Sequence, residues 1–159
     1  IESRLSHLAT KYGCNNFRDF SQKVEFGSDP RLRSELIDAI TTQETLFYRD
    51  GSPFQALQFR VIPDLIDLKS KTAFPRRLRF WSAACSTGQE PYSIAMVLAE
   101  VLPNFRQWDV QILATDISEA ALAQAAAGRY GRMEVQRGLP MDLLSKHFVA
   151  DGAGWRVRD

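Results

Sequence analysis

The sequence predicts an α/β protein in which a small helical domain precedes the first part of a domain with a parallel β-sheet. Three observations support this class. The first 50 residues carry apolar residues at helical spacing. From residue 78 onward, segments typical of strands alternate with segments typical of helices. Strands that alternate with helices in this way form parallel sheets with right-handed crossovers.

The composition is that of an ordinary globular protein, with 159 residues, 45% of them hydrophobic and 25% charged. The net charge of +1 produces no overall field that would attract nucleic acid or an anionic membrane surface. The cysteines, Cys14 and Cys85, lack metal-ligand spacing, which favours a reducing compartment over a disulfide framework or a zinc site. No apolar run reaches the roughly 18–20 residues that span a bilayer. We therefore expect a cytoplasmic protein with no metal, no nucleic-acid partner and no membrane insertion.

Three short helices are predicted within residues 1–50, the N-terminal helical domain. Apolar residues recur at helical spacing in the first two, which end near Gly13 and Gly27: Ile1, Leu5, Leu8, Phe17, Phe20 and Val24. The third helix begins with Ser28 or Asp29 as its N-cap and has Pro30 in its first turn. Its predicted buried face consists of Leu32, Leu36, Ile37 and Ile40. Because the chain starts inside a helical pattern and without Met, we expect it to be a fragment of a longer protein.

Residues 51–77 are predicted to form a linker helix and a basic loop. Ser52 is the expected N-cap, and Pro53 lies in the first turn. Pro63 should kink or divide the helix because it lacks a backbone N–H donor. The predicted apolar stripe consists of Leu57, Val61, Leu65 and Leu68. The basic loop covers residues 69–77, "KSKTAFPRR".

The segment from residue 78 to residue 159 contains the β-α-β-α run. Strands are predicted over residues 78–84 and 109–115, and helices over residues 89–102 and 118–128. A short helix is expected near residues 141–147, followed by a hairpin around residues 151–154. Trp81, on the first strand, is expected to be a core residue.

Two turns follow the predicted parallel strands, and they mark the expected binding site. Ligands of open α/β sheets bind beyond the carboxyl ends of the strands. The first turn lies in "ACSTGQEPYS" and the second in "ATDIS". Asp116, at the end of the second strand, is placed to accept hydrogen bonds from ribose hydroxyls. The alternative is that Asp116 only caps the helix that starts at Ser118.

The first turn lacks both the G-x-G-x-x-G spacing of dinucleotide sites and the G-K-[ST] of P-loops. A nucleoside without a polyphosphate is therefore the expected ligand, and S-adenosylmethionine meets that description. Glu90, in the first turn of the following helix, could bind its ammonium group. The alternative is that Glu90 only interacts favourably with the helix dipole.

Three segments, in this order, closely resemble the motifs of the chemotaxis receptor glutamate methyltransferase family (CheR): "TTQETLFYRD", "FWSAACSTGQEPYSIAM" and "ILATDIS" with the later "GRY". The resemblance runs over nearly the whole chain. It implies a helical domain followed by the first part of a Rossmann-like class I methyltransferase domain, truncated after about residue 159. It also implies methyl transfer from S-adenosylmethionine to receptor glutamates, with S-adenosylhomocysteine as product. The family's cofactor-binding positions fall here on Gln43, Thr45, Arg49, Glu90 and Asp116.

The sequence departs from the family pattern in two ways. Gln43 stands where the family usually has Asn, which is one methylene shorter. The family's later "RN" and "YF" motif, its remaining strands and its small β-subdomain are expected to be absent from this chain. The isolated fragment is therefore expected to be inactive and to self-associate or swap domains.

Arg49 is the residue to which the resemblance assigns a catalytic role beside the reacting centre. A guanidinium binds a carboxylate in a bidentate manner and stays charged at any working pH. The alternative is a surface pair with Asp50 or Glu44. Phe47 and Tyr48, which directly precede Arg49 in the motif, are expected to be core residues. His7, His147 and Cys85 are interpreted as two surface histidines and a small apolar residue.

The expected partners are the cytoplasmic methylation helices of chemoreceptors. Basic residues of the N-terminal helices could approach an acidic receptor helix: Arg18, Lys23, Arg31 and Arg33. Two other functions stay open at this point. A small-molecule methyltransferase would leave "TTQETLFYR" unexplained, and a non-catalytic regulatory module could bind S-adenosylmethionine with the same fold.

Overall fold

The computed structural model describes residues 2–71 and 76–158. They form two compact units. The first unit contains the chain up to Gln43 together with Ile117–Ala120, and the second contains Glu44–Asp116 and the chain from Ala121 onward. Ile1 and part of the predicted basic loop, residues 72–75, lie outside the described residues. No helix within the described ranges is both long enough and apolar enough to cross a membrane.

The first unit is built from three helices, as predicted. They are α1 (Glu2–Lys11), α2 (Phe17–Phe26) and α3 (Pro30–Ile40). The Asp29 side chain caps α3 by accepting a hydrogen bond from the Arg31 N–H at 2.9 Å. The buried core of this unit consists of Leu8, Ala9, Phe20 and Leu32. Ile40 is 47% exposed, contrary to prediction, because it is the last residue of its helix.

The linker helix predicted after residue 51 is divided into two, α4 (Ser52–Ala56) and α5 (Ile62–Ser70), by a π-helical turn over Leu57–Val61. Gly51, not Ser52, occupies the N-cap position. The predicted division is confirmed. The π turn ends at Val61, and Pro63 lies in the first turn of α5, where a proline is tolerated because the N–H donor that it lacks would have no α-helical partner.

The π turn also changes which side chains face the core. A π turn accommodates one residue more than an α turn, so every later side chain is rotated around the helix axis. Ile62 is consequently buried completely, whereas Val61 and Leu68, which belong to the predicted apolar stripe, are exposed. The predicted stripe is therefore wrong at Val61 and Leu68, whereas Leu57 and Leu65 pack against the core as predicted.

The second unit contains the predicted parallel strand pair. Strand β1 (Arg77–Ala83) leads through α6 (Gln89–Val101) and a 3₁₀ turn (Phe105–Gln107) to β2 (Asp109–Thr115), and α7 (Glu119–Ala127) follows. The strands pair in parallel from Arg77 opposite Asp109 to Ala83 opposite Thr115. The β-α-β prediction is confirmed, with β1 shifted by one residue.

One face of this sheet is packed and the other is open. Side chains alternate between the two faces of a strand. Leu78 lies in a cluster with Ile62 of α5 and Leu98 of α6. Trp81 points to the opposite face and is 70% exposed, so its prediction as a core residue is wrong. Its indole Nε1–H donates to the Thr115 hydroxyl at 2.9 Å.

A second, antiparallel sheet forms the C-terminal part of the unit. Strands β3 (Arg129–Gly131), β4 (Phe148–Asp151) and β5 (Gly154–Val157) pair in the order β3-β5-β4. Helices α8 (Arg132–Gln136) and α9 (Met141–His147) lie between β3 and β4 in the chain. The predicted hairpin is confirmed as β4 and β5. The three-residue strand β3, which the sequence did not predict, joins this hairpin in one sheet.

Candidate cofactor site

The turn between β1 and α6 has an unusual backbone conformation. Ala84, Ser86 and Gly88 have φ angles of +57°, +50° and +96°. Only glycine adopts such angles without steric cost, and a non-glycine residue there costs about 1–3 kcal/mol. Strain of this kind persists only where neighbouring groups fix the backbone, and it concentrates at binding sites.

Gly88 is required at its position by space as well as by conformation. A Cβ atom there would lie 2.8 Å from the Cβ and 3.0 Å from the Cα of Ala125 on α7. Since real carbon atoms do not approach so closely, any side chain at this position would displace the turn from α7. Glycine at this position therefore allows the turn to pack directly against α7.

The structure brings the two predicted turns together. The Ser86 N–H donates to Oδ2 of Asp116 at 2.7 Å, and the Cys85 N–H donates to the Thr115 carbonyl at 2.9 Å. A carboxylate therefore lies directly beside the strained turn, at the carboxyl ends of both parallel strands. The sequence predicted this position for Asp116, and its contact with a ribose stays a prediction.

Glu90 lies in the first turn of α6 and is held from β1. The hydroxyl of Ser82, which is 1% exposed, donates to Oε1 of Glu90 at 2.7 Å. The carboxylate is thus oriented by a specific hydrogen bond in addition to any interaction with the helix dipole. Sequence reasoning missed Ser82, although a small polar residue on the buried face of a strand was a signal for it.

The loop with Thr45 and Arg49 precedes α4 and is anchored on α6. Phe47 is 1% exposed and forms part of the core, as predicted. The Tyr48 N–H donates to the buried Ser93 hydroxyl at 3.1 Å, and burial raises the pKa of Tyr48 to about 12. Thr45 is half-buried.

Arg49 is exposed, and its guanidinium is hydrogen-bonded to its own loop. Nη1 donates to the Glu44 carbonyl at 2.7 Å. The carboxylate of Glu44 instead faces Arg137 at 3.7 Å. The bond to the carbonyl uses one of the five N–H donors of the guanidinium and fixes the end of a long side chain.

Gln43 belongs to the first unit, where it is part of a chain of three polar side chains. The Ser118 hydroxyl donates to Oδ1 of Asp38 at 2.6 Å and accepts from Nε2 of Gln43 at 2.7 Å. Because the hydroxyl proton is used on the carboxylate, the amide of Gln43 must present its NH₂ end to Ser118. Neither Asp38 nor this role of Ser118 was predicted.

The residues around the two turns fit S-adenosylmethionine. Its ribose hydroxyls and ammonium group are hydrogen-bond donors, and Asp116 and Glu90 offer carboxylate acceptors. The Ser86 hydroxyl is buried without a hydrogen-bond partner among the described residues. A buried polar atom of this kind is costly, and it is typical of sites that change when a ligand binds.

Cys85 and His147, both interpreted from the sequence, lie in different surroundings. Cys85 is 1% exposed, and burial, followed by the nearby Asp116 charge, raises the pKa of its thiol, so it is an unreactive core residue as predicted. His147 is half-buried, and its Nε2 lies 3.0 Å from Oε1 of Glu100, a partner that the sequence did not reveal. The hydrogen bond from Lys146 lowers the pKa of Glu100, and the one from His147 adds to this effect.

A glycine turn after one parallel strand and a carboxylate after the next define an α/β protein with a nucleoside-binding site. The comparison with known families agrees, because residues 43–159 match the family described as CheR methyltransferase, SAM binding domain. The chain belongs to this family, whose methyl donor is S-adenosylmethionine.

Curated relatives of the chain are named chemotaxis protein methyltransferases. The chain is 41% identical to chemotaxis protein methyltransferase 1 of Pseudomonas aeruginosa, over 99% of the chain and 57% of the relative. It is 38% identical to chemotaxis protein methyltransferase 1 of Vibrio cholerae, over 100% of the chain and 57% of the relative. For the chemotaxis protein methyltransferase of Borreliella burgdorferi the values are 40%, 82% and 46%. The chain therefore spans little more than half the length of such relatives.

Proposed function

We propose that the chain is the cofactor-binding part of a protein-glutamate O-methyltransferase that modifies bacterial chemoreceptors in the cytoplasm, with a Rossmann-like class I methyltransferase domain. The observation that carries this proposal is the 2.7 Å hydrogen bond between the Ser86 N–H and the Asp116 carboxylate. It joins the turns after both parallel strands within the region that matches the family. The names of the relatives support chemotaxis methyl transfer.

Asp116 and Glu90 have complementary roles in this proposal. Asp116 accepts hydrogen bonds from the ribose hydroxyls, as acidic residues at the end of a second strand do in nucleotide-binding folds. Glu90, oriented by Ser82, binds the ammonium group. Thr45 and Gln43 are further cofactor contacts by resemblance to the family.

The chemistry requires positioning more than acid–base catalysis. When bound, S-adenosylmethionine supplies a methyl group whose bond to sulfur breaks as a glutamate oxygen binds it, the electron pair staying on sulfur. The glutamate side chain is ionised at neutral pH, so no residue of the chain has to remove a proton. Alignment of the reacting groups can contribute roughly 7–11 kcal/mol, and exclusion of water from the two opposite charges adds to it.

Arg49 is the residue that we assign to the acceptor glutamate. Its bond to the Glu44 carbonyl fixes the guanidinium, and the other N–H donors are geometrically suited to a bidentate pair with a carboxylate. A fixed charge that needs no reorganisation during the reaction is the most effective kind of electrostatic stabilisation. The contact of Arg49 with the cofactor follows from the family resemblance.

The proposed partners are the cytoplasmic methylation helices of chemoreceptors. The four basic residues named for this contact are exposed on helices α2 and α3 or at their ends: Arg18, Lys23, Arg31 and Arg33. They could approach an acidic receptor helix, although they do not produce a net charge that would attract one from a distance.

The test is transfer of a labelled methyl group from S-adenosylmethionine to a receptor fragment by the full-length protein. We expect a base-labile product, because a methyl ester hydrolyses in base whereas N-methyl groups do not. Binding of S-adenosylhomocysteine without any transfer to receptor would instead favour the non-catalytic regulatory module. Absence of binding would contradict both.

A further inference from the structure

We propose that Tyr130 is a positioning residue whose hydroxyl holds the Thr87 carbonyl and thereby fixes the turn over Ser86–Gly88 for S-adenosylmethionine. The inference rests on the proposed function, because it concerns the same turn. Tyr130 lies on β3, 43 residues after Thr87, and is not one of the predicted cofactor residues. It is the last residue of the "GRY" segment that resembles the family motif.

The contact between Tyr130 and the turn is direct and well protected. The hydroxyl donates to the Thr87 carbonyl at 2.8 Å, and the side chain is 2% exposed. Burial raises the pKa of Tyr130 far above its usual range. The hydroxyl is therefore protonated, and is a donor, at neutral pH.

The turn needs such a contact because its backbone is strained. Ala84 and Ser86 occupy left-handed conformations that non-glycine residues avoid, at a cost that surrounding interactions have to offset. Three of the bonds that fix the turn come from within it or from the end of β2: Cys85 N–H to Thr115, Ser86 N–H to Asp116 and Gly88 N–H to Cys85. The bond from Tyr130 fixes the turn from a different sheet.

Tyr130 also limits how the turn can relax. A Cβ atom at Gly88 would lie 2.9 Å from the Tyr130 hydroxyl, so the backbone and the hydroxyl are already in close contact. Loss of the hydroxyl removes a hydrogen bond and opens space at the same point. We therefore expect the turn to sample other conformations, in which the Ser86 N–H no longer meets Asp116.

The ring of Tyr130 supports the Arg49 loop as well. It packs edge-to-face against Phe47, with ring centroids 5.0 Å apart. Phe47 lies two residues from Thr45 and two from Arg49. One side chain thus contacts both the loop and the glycine turn, with its hydroxyl on the turn and its ring against the loop. Substitution by Phe separates these contributions, because it keeps the ring.

The experiment compares Tyr130→Phe with Tyr92→Phe in the full-length protein. Tyr92 is a matched control, because its hydroxyl also donates to a backbone carbonyl, that of Ala125 at 2.9 Å. Binding of S-adenosylhomocysteine is measured by calorimetry, and KM and kcat are measured with S-adenosylmethionine and receptor varied separately. Hydrogen–deuterium exchange over residues 84–89 reports on the turn without any ligand.

For Tyr130→Phe we expect binding of S-adenosylhomocysteine to weaken about three- to tenfold, the scale of one neutral hydrogen bond. KM for S-adenosylmethionine should rise by a similar factor, with kcat and the KM for receptor unchanged. Exchange over the turn should be faster than in the wild type. Tyr92→Phe should lower the melting temperature about as much as Tyr130→Phe does. It should leave the affinity for S-adenosylhomocysteine, the KM for S-adenosylmethionine and the exchange over the turn unchanged.

Two results would overturn the inference. One is unchanged affinity and exchange in Tyr130→Phe while the wild-type protein binds S-adenosylhomocysteine normally. The other is an equal loss of affinity in both variants, which would mean that general loosening is responsible. If the wild-type protein itself fails to bind, the proposed function fails and the inference fails with it, so the two failures are distinguishable.

Discussion

Asp116 connects the strained turn to the expected ribose site, and its removal should affect both. Asp116→Ala deletes the acceptor of the Ser86 N–H as well as the acceptor for ribose hydroxyls. We expect S-adenosylmethionine binding by the full-length protein to weaken by about 1–3 kcal/mol, the scale of losing a hydrogen-bonded charged group. Calorimetry measures this loss.

The matched control is Asp109→Ala. Asp109 is a carboxylate at the opposite end of the same strand, 2.6 Å from Nη2 of Arg79. Asp109→Ala should leave the affinity for S-adenosylmethionine unchanged. Unchanged affinity in Asp116→Ala, with circular dichroism showing an intact fold, would refute the ribose assignment.

The second prediction at the residue scale concerns Arg49. In Arg49→Lys the charge is kept, but a point charge cannot reproduce the planar fork that orients a carboxylate. We expect kcat to fall about 10- to 100-fold, as for a misplaced reactant. Radioactive methyl transfer to a receptor fragment measures it. Arg137→Lys is the control, because Arg137 faces the carboxylate of the same Glu44. Wild-type turnover in Arg49→Lys would indicate that Arg49 is only a surface residue.

At the residue scale, the sequence predicted what depends on neighbours in the chain. The position of Asp116 was predictable because the residue that follows a parallel strand lies at a known edge of the sheet. Tyr130 and Asp38 were not predictable, because their partners lie 43 and 80 residues away and no local pattern encodes those contacts. The proposed cofactor contacts of Gln43, Thr45 and Arg49 still rest on family resemblance.

At the scale of elements, the π turn shows how a local irregularity changes packing. Periodicity assumes 3.6 residues per turn throughout, so it predicted Val61 as a buried residue and did not include Ile62. The strand pair, α6 and α7 were predicted within one residue at each end, because nothing interrupts their periodicity. The three-residue strand β3 is too short to carry a pattern of its own.

The exchange of Val61 and Ile62 is directly testable. Ile62 is fully buried in the cluster with Leu78 and Leu98, whereas Val61 is 43% exposed. Ile62→Ala should lower the free energy of unfolding by about 2–5 kcal/mol, because it leaves a cavity in the core. Val61→Ala should change it by less than about 0.5 kcal/mol, as at other surface positions. Chemical denaturation measures both, and equal effects would contradict the rotated register.

At the scale of the whole molecule, the sequence could not predict which side chains lie on the open face of the parallel sheet. Whether a strand residue is covered depends on segments far away in the chain. Trp81 and Leu113 are register partners on β1 and β2, and they are 70% and 60% exposed. Apolar side chains that lie together on a surface mark sites of protein association.

The last prediction concerns the 159-residue chain by itself, which spans 57% of the relative from Pseudomonas aeruginosa. Among the described residues, β1 and β2 pair only with each other, so each leaves an edge with unpaired backbone groups. Such edges pair with any available strand, and apolar faces bury each other. We expect light scattering to show self-association of the chain, together with weak S-adenosylmethionine binding and no methyl transfer to receptor.

A pair of variants distinguishes association through this face from general stickiness. Leu113→Lys places a charge on the open face of the sheet and should shift the chain toward monomer. Leu68→Lys alters a leucine of α5 that is 59% exposed, about as much as Leu113, and should leave the association unchanged. Because Trp81 and Leu113 are apolar, we expect association through these two side chains to persist across ionic strength. A stable monomer with methyl-transfer activity close to that of the full-length protein would contradict both the association and the placement of the site.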